Sequence, residues 1–149
     1  MNCYINSIVL CLLILFVSYS GMEPSVKDSR HVGESFLSAL KARDFQKLAG
    51  CFQPEVRGRF LTPGSGFTEA SGSLVVAGKF RKWFGSVDSF IIEESKVNQL
   101  SDSKIHISYR IRLSSDTCLT QQIYAVVKEG LIEAINLLCS GPYKPAIRQ

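Results

Sequence analysis

The hydrophobic pattern of the chain changes from a helical repeat to a strand repeat near its middle. Residues 25–42 carry apolar side chains at i, i+4, i+7 and i+8, which predicts an amphipathic helix. Those side chains are Val32, Phe36, Ala39 and Leu40. Asp44 is a suitable N-cap for a second, shorter helix that Pro54 would end. A third helix is predicted over residues 74–84, because Gly85 is a natural stop.

The second half of the chain alternates between apolar and polar residues, which indicates half-buried strands. In residues 104–113 the apolar positions are Ile105, Ile107, Tyr109, Ile111 and Leu113, and the polar positions are Lys104, His106, Ser108, Arg110 and Arg112. Further strands are predicted over 90–97, 119–127 and 131–138, with a tight turn at Gly130. Helices that precede antiparallel strands predict an α+β fold, with the helices on one face of a curved sheet.

The segment between the second and third helices is rich in Gly, Ser and Pro. Residues 53–73 read QPEVRGRFLTPGSGFTEASGS and still carry the apolar side chains Val56, Phe60, Leu61 and Phe67. We expect a long loop with apolar anchors, and loops of this length often cover a site. The segment is therefore interpreted as the lid or rim of a pocket.

The N-terminus is apolar, and we divide the chain into a leader over residues 1–21 and a domain over 22–149. Residues 8–17 are ten consecutive apolar residues, and the small residues that follow suit signal-peptide cleavage. An uncleaved anchor and translation from Met22 are the alternatives. The protein would be secreted or membrane-tethered if Met1 is the start, and cytoplasmic if Met22 is.

The charges and cysteines exclude several kinds of site. The 149 residues include 17 basic and 13 acidic side chains, a net charge of +4, and the acids are interleaved with the bases. Lys79, Arg81 and Lys82 are therefore expected on a solvated helix face, and no nucleic-acid partner is expected. Two histidines without paired cysteines predict no metal site, and no cofactor is expected. Cys51, Cys118 and Cys139 are interpreted as free thiols, with a bridge between Cys118 and Cys139 as the alternative.

Three stretches carry a family resemblance: FLSALKARDFQKLAGCFQPEV at residues 36–56, FRKWFG at 80–85 and AVVKEGLIEAINLLCSGPYKP at 125–145. Their order and spacing resemble the nuclear transport factor 2-like (NTF2-like) superfamily, which includes SnoaL-like polyketide cyclases and ketosteroid isomerases. The resemblance covers about residues 25–145. It implies a cone-shaped, cystatin-like α+β fold in which three N-terminal helices pack on a curved antiparallel sheet. The enclosed cavity of such a fold binds a small, mostly apolar molecule.

The resemblance does not carry over a catalytic site. The isomerases use a pocket carboxylate with a tyrosine and a protonated acid, whereas the stretch after the second helix offers Glu55, Arg57 and Arg59. The cyclases and dehydratases use histidine with aspartate, but His31 and His106 are predicted on solvated faces. We therefore assign no catalytic residue.

The candidate site is a set of aromatic and aliphatic residues that could line the pocket of such a fold, with a filled core as the alternative interpretation. This set is Phe36, Leu40, Phe52, Phe60, Trp83, Tyr109 and Tyr124. Gln122, Glu69 or a tyrosine hydroxyl would orient the ligand. We expect a non-enzymatic module that binds a small apolar ligand or forms a homodimer through the sheet, with membrane contact only through the leader. The alternative is a cofactor-independent isomerase, cyclase or dehydratase.

Overall fold

The computed structural model describes residues 28–62, 65–86, 89–113 and 117–141. The leader over residues 1–21, with its signal-peptide, anchor and start-site alternatives, lies outside them. Two helices come first, α1 (Ser29–Lys41) and α2 (Phe45–Ala49), and α3 (Ser73–Gly85) comes later. The strands are β1 (Phe52–Thr62), β2 (Gly66–Ser71), β3 (Phe90–Ser101), β4 (Lys104–Leu113), β5 (Cys118–Lys128) and β6 (Leu131–Ser140). The predicted α+β class is confirmed, and the sheet is its dominant part.

The six strands form one sheet in the order β2-β1-β6-β5-β4-β3. Four of its pairings are antiparallel, whereas β1 and β6 run parallel, with Phe60 opposite Leu137. The expectation of a purely antiparallel sheet was therefore wrong at this pairing. No hairpin turn links β1 to β6, which are far apart in sequence, so nothing local imposes an antiparallel direction on them.

Side-chain caps begin the first two helices, and the cap of the second is the Asp44 that the sequence predicted. The carboxylate of Asp28 accepts a hydrogen bond from the backbone N–H of Arg30, and that of Asp44 accepts one from Lys47 at 2.9 Å. The second helix ends at Ala49 instead of extending to Pro54, because Phe52 already begins β1.

The segment over residues 53–73 is not a long loop: most of it forms the β1–β2 hairpin, with Phe60 opposite Thr68. The third helix therefore follows two strands instead of preceding the sheet. Pro54 is tolerated because the pairing of β1 with β6 is interrupted between Phe52 and Arg57, where a missing N–H is not needed. Gly58 is required by space, since a Cβ there would lie 2.7 Å from the ring of Phe60.

The core lies between the helices and one face of the sheet, here called the inner face. On it lie buried Ile105, Ile107, Tyr109 and Ile111, the apolar set that the alternation predicted. Phe36 of α1 meets Phe80 of α3 edge to face at 5.5 Å between ring centroids, and Phe80 meets Phe60 of β1 at 5.6 Å. Such contacts add to the free energy of burial and fix how the helices sit on the sheet.

The opposite face of the sheet, here called the outer face, carries the polar side chains of β4 and several exposed apolar side chains. Cys118 faces outward opposite Arg112, whereas Cys139 pairs with buried Gln121 on the inner side. Both are free thiols, and Cys51 is buried. Two cysteines on opposite faces of a sheet cannot reach disulfide geometry.

Candidate ligand-binding site

A cavity of about 410 Å³ opens between α3, the β1–β2 hairpin and the ends of β5 and β6. This volume lies in the range of small-molecule sites. Its described lining is Phe60, Thr62, Ser65, Thr68, Lys79, Phe80, Lys82, Trp83, Ser86, Gln121 and Leu137.

One face of α3 forms a wall of the cavity. Lys79, Lys82 and Trp83 stand at i, i+3 and i+4, so their side chains share a side of the helix. Just past the helix end, the hydroxyl of Ser86 donates to the backbone carbonyl of Trp83 at 2.6 Å. This bond satisfies a terminal carbonyl and fixes the last turn.

Aromatic rings supply the apolar part of the wall. Phe60 and Phe80 are buried and locked edge to face, so they present fixed ring surfaces. Trp83 is half-buried at the edge of the cavity and packs against Phe84, with 4.8 Å between the ring centroids. A ligand with a flat apolar body could therefore exchange water contact for contact with rings that are already ordered.

Gln121 of β5 is the buried polar group of the lining. It is 1% exposed and stands in the strand between buried Leu119 and Ile123. The hydroxyl of Tyr109, also 1% exposed, donates a hydrogen bond to its side-chain oxygen. A buried amide needs such a partner, and Tyr109 thereby orients the amide that faces the cavity.

Two titratable groups adjoin this amide, and both stay protonated at neutral pH. Burial raises the pKa of Tyr109 well above its usual value, and nearby Cys139 adds to this increase. Burial also raises the pKa of the Cys139 thiol, which a hydrogen bond with Gln121 partly opposes. The cluster of Tyr109, Gln121 and Cys139 is therefore neutral, and its thiol is not poised as a nucleophile.

Among the residues that the structure describes, Lys79 and Lys82 are the charged members of the lining, which contains no carboxylate or imidazole. His31 is exposed on α1, and His106 lies on the outer face. In the described ranges, no group of three or more His, Cys, Asp or Glu could hold a metal ion. The cavity can bind and orient a molecule, and its described lining offers no carboxylate or imidazole as a general base.

The structure separates the predicted pocket residues. Phe60 and Trp83 line the cavity. Phe36, Leu40 and Phe52 are buried in the core outside this lining, and Tyr109 reaches the cavity only through Gln121.

Tyr124 lies on the outer face, contrary to expectation, because its strand neighbours Ile123 and Ala125 take the inner positions. It is 41% exposed and stacks on the ring of His106. His106 is thus half-covered by Tyr124 instead of fully solvated.

Neither predicted orienting residue lines the cavity. Gln122 pairs with Ser108 on the outer face, and Glu69 is engaged with Arg59 at 3.2 Å.

Three of the lining residues that sequence reasoning missed supply the buried amide and the positive charges of the cavity. Gln121 lies two residues from both Leu119 and Ile123, on the same face of the strand. A polar residue on an otherwise apolar strand face is a signal for a buried polar site. Lys79 and Lys82 were placed on a solvated face, although their spacing from Trp83 puts them on its side of the helix.

A larger groove of about 1060 Å³ runs between α1 and β3, but it is more open to solvent, and most of the residues that line it are of polar types. Arg30, Glu34 and Lys96 line it, and the ammonium of Lys41 crosses it to donate to the hydroxyl of Ser95 at 2.6 Å. It lacks the aromatic wall of the smaller cavity, which is therefore the better candidate. No described helix is long and apolar enough to cross a membrane.

Comparison with known proteins gives similarity in structure alone. No protein-family model matches the sequence, and no curated protein sequence matches it. A protein from Kribbella flavida, called a "putative ketosteroid isomerase", aligns with a TM-score of 0.64 and 15% identity, over 80% of this chain and 83% of its own.

Two further structures agree. A protein of unknown function with cystatin-like fold from Methylobium petroleophilum has a TM-score of 0.60 and 18% identity, with 84% of each chain covered. A "putative SnoaL-like polyketide cyclase" from Shewanella denitrificans has a TM-score of 0.56 and 11% identity, with 74% of this chain and 89% of its own covered. These likenesses confirm the NTF2-like resemblance at the level of the fold, and we conclude that the chain has the NTF2-like, cystatin-like fold.

Proposed function

We propose that this protein is a non-enzymatic binding module that holds a small, mostly apolar molecule in the cavity beside α3. The observation that carries the proposal is the composition of the cavity: ordered rings of Phe60, Phe80 and Trp83 face one satisfied amide, Gln121. Apolar walls with few placed polar groups are the usual form of a small-molecule site.

The alternative is a cofactor-independent isomerase, cyclase or dehydratase, which the names of the similar structures favour. Such chemistry needs a group that accepts a proton at the bound substrate. Tyr109 could serve only as a hydrogen-bond donor, and its hydroxyl is already committed to Gln121. The geometry of the described lining therefore supports binding better than proton transfer.

Titration with phenylnaphthylamine, a neutral aromatic probe that fluoresces in apolar sites, tests the proposal. Trp83 is the single tryptophan of the chain, so quenching of its emission reports occupation of this cavity. We expect saturable 1:1 binding that Trp83→Leu weakens at least about fivefold, as judged from the emission of the probe, because a ring contact is lost. Tyr124→Leu, an aromatic deletion on the outer face, is the matched control and should leave the affinity unchanged. Absence of saturable binding to the folded protein would overturn the proposal.

An exposed apolar patch favours a second role for the same domain, as a homodimer. On the outer face Leu61 of β1 pairs with Leu138 of β6 on one side and with Phe67 of β2 on the other. These side chains are 46%, 44% and 61% exposed, and the exposed ion pair of Arg59 and Glu69 borders them. Contiguous exposed apolar groups mark interaction sites. A border that carries one positive and one negative side chain is complementary to the same border on a second copy of the chain, related to the first by a two-fold axis.

Sedimentation analysis over a range of concentrations tests the dimer. We expect Leu61→Lys to shift the equilibrium to monomer, because it would bury a charge in the contact. Leu74→Lys changes a side chain that is 69% exposed on α3, outside the patch, and should not alter the equilibrium. A wild-type protein that stays monomeric at every concentration contradicts the dimer and leaves the cavity proposal standing.

A further inference from the structure

We propose that the ligand of this cavity is an organic anion: an apolar, ring-compatible body that ends in one acid group, bound by Lys79 and Lys82. This inference rests on the proposed function, because it assigns the chemical class of the molecule that occupies the same cavity.

The first observation is that neither lysine forms an ion pair with another described residue. The ion pairs that the structure describes lie on α1, on the outer face of the sheet and at the β5–β6 hairpin, and none includes Lys79 or Lys82. Within the described lining there is no carboxylate either. Two like charges at one cavity repel each other, and an anion between them removes that repulsion.

The second observation is where the lysines stand relative to the rings. Lys79 and Lys82 share a helix side with Trp83, so the charges lie along one wall and the rings continue it. Lys79 is half-buried and Lys82 is exposed. Low-dielectric walls beside such charges strengthen their attraction for an anion.

A competing effect comes from the end of α3, whose carbonyl groups carry partial negative charge. The carbonyl of Trp83, however, already accepts hydrogen bonds from the hydroxyl of Ser86 at 2.6 Å and from its backbone N–H at 3.1 Å. Its partial charge is thus offset locally, while the two ammonium groups carry full charges. The balance at the cavity favours an anion.

The experiment compares two probes with the same ring system, anilinonaphthalene sulfonate and uncharged phenylnaphthylamine, on the whole protein. Isothermal titration gives stoichiometry, and quenching of Trp83 locates the bound probe. We expect the sulfonate to bind 1:1 and more tightly than the neutral probe. Lys79→Gln combined with Lys82→Gln should weaken the sulfonate about tenfold and leave the neutral probe nearly unchanged.

Arg81→Gln is the matched control, since Arg81 is exposed on the same helix but does not line the cavity. It removes one positive charge from α3 outside the cavity, so it should change neither affinity. Raising the salt concentration should weaken only the sulfonate, because exposed charge pairs are screened.

The outcomes separate the two proposals. If the neutral probe binds 1:1 and the lysine variants leave the sulfonate affinity unchanged, the anion inference is overturned and the binding function stands. If the sulfonate binds without quenching Trp83, it occupies another surface and the inference is again overturned. If neither probe binds the folded protein, the proposed function itself fails.

Discussion

The hydroxyl of Tyr109 on β4 donates its hydrogen bond to the side-chain oxygen of Gln121 on β5, directly opposite it in the sheet. Both side chains are 1% exposed, so each satisfies the other away from water. We expect Tyr109→Phe to lower the free energy of unfolding by about 1–3 kcal/mol, because the amide oxygen of Gln121 is left without its donor. Urea denaturation measures this change.

Tyr124→Phe is the control for that measurement, because Tyr124 is on the outer face. Its hydroxyl donates only a long, exposed hydrogen bond to Oε1 of Gln122, at 3.4 Å. It should change stability by less than about 0.5 kcal/mol. A double-mutant cycle with Gln121→Leu should give a coupling free energy between the two sites. Strictly additive losses would show that the pair is not energetically linked.

The buried hydroxyl also predicts how stability depends on alkaline pH. A tyrosine in an unfolded chain ionises near pH 10, whereas burial raises the pKa of Tyr109 well above that value in the fold. Above about pH 10 the unfolded state therefore loses this proton first, and stability that is fully present at lower pH is progressively lost.

Denaturation series from neutral to alkaline pH check this. Tyr109→Phe should show a shallower alkaline decline than wild type, and the remaining slope includes Cys139, whose pKa burial also raises. Equal slopes in the two proteins would contradict the assignment to Tyr109.

Two helical glycines predict opposite effects of the same substitution. A Cβ at Gly33 of α1 would lie 2.7 Å from Val97 and 3.1 Å from Ile105, whereas one at Gly78 of α3 meets nothing within 4 Å. Overpacking outweighs the gain in helix propensity at the first site, so we expect Gly33→Ala to cost about 1–2 kcal/mol.

Gly78→Ala should instead stabilise the protein by up to about 1 kcal/mol, since only helix propensity changes. Thermal denaturation of both variants decides the point. The packing of α1 against β3 and β4 would be refuted if the two substitutions raised the melting temperature alike.

Truncation of Phe80 is expected to lower the free energy of unfolding, because its ring fills the core beside the cavity. Its ring contacts both Phe36 and Phe60, and it is 3% exposed. We expect Phe80→Ala to cost about 3–5 kcal/mol. Phe67→Ala removes a ring that is 61% exposed and should cost less than about 0.5 kcal/mol in the monomer. Similar losses from both would place Phe80 outside the core.

The parts of the fold that sequence predicted are those with a strong local signal. The alternation over residues 104–113 matches β4 residue for residue, and Gly130 sits in a turn where Glu129 and Gly130 both have positive φ. The β1–β2 hairpin was missed because Pro54 and Gly58 are typical of loops. What overrides that local preference is non-local: β6 pairs with β1, and Gly58 leaves room for the ring of Phe60.

The candidate site was less predictable for a related reason. Aromatic residues predicted an apolar cavity, but which rings line it depends on where α3 meets the sheet. Phe60 and Trp83 reach it, whereas Phe36 and Phe52 pack against each other in the core. Gln121 could have been found from its phase in β5, while its bond to Tyr109 needed the register of β4 and β5.

The position of β6 has a consequence for how the protein is made. This strand is the last of the six described strands in chain order, yet it lies inside the sheet, with β1 on one side and β5 on the other. The β1–β2 hairpin therefore cannot join the other strands until β6 has left the ribosome. Folding has to wait for a contact between distant parts of the sequence, which is entropically slow to form. During synthesis, the edge of β1 that will receive β6 remains open to other chains.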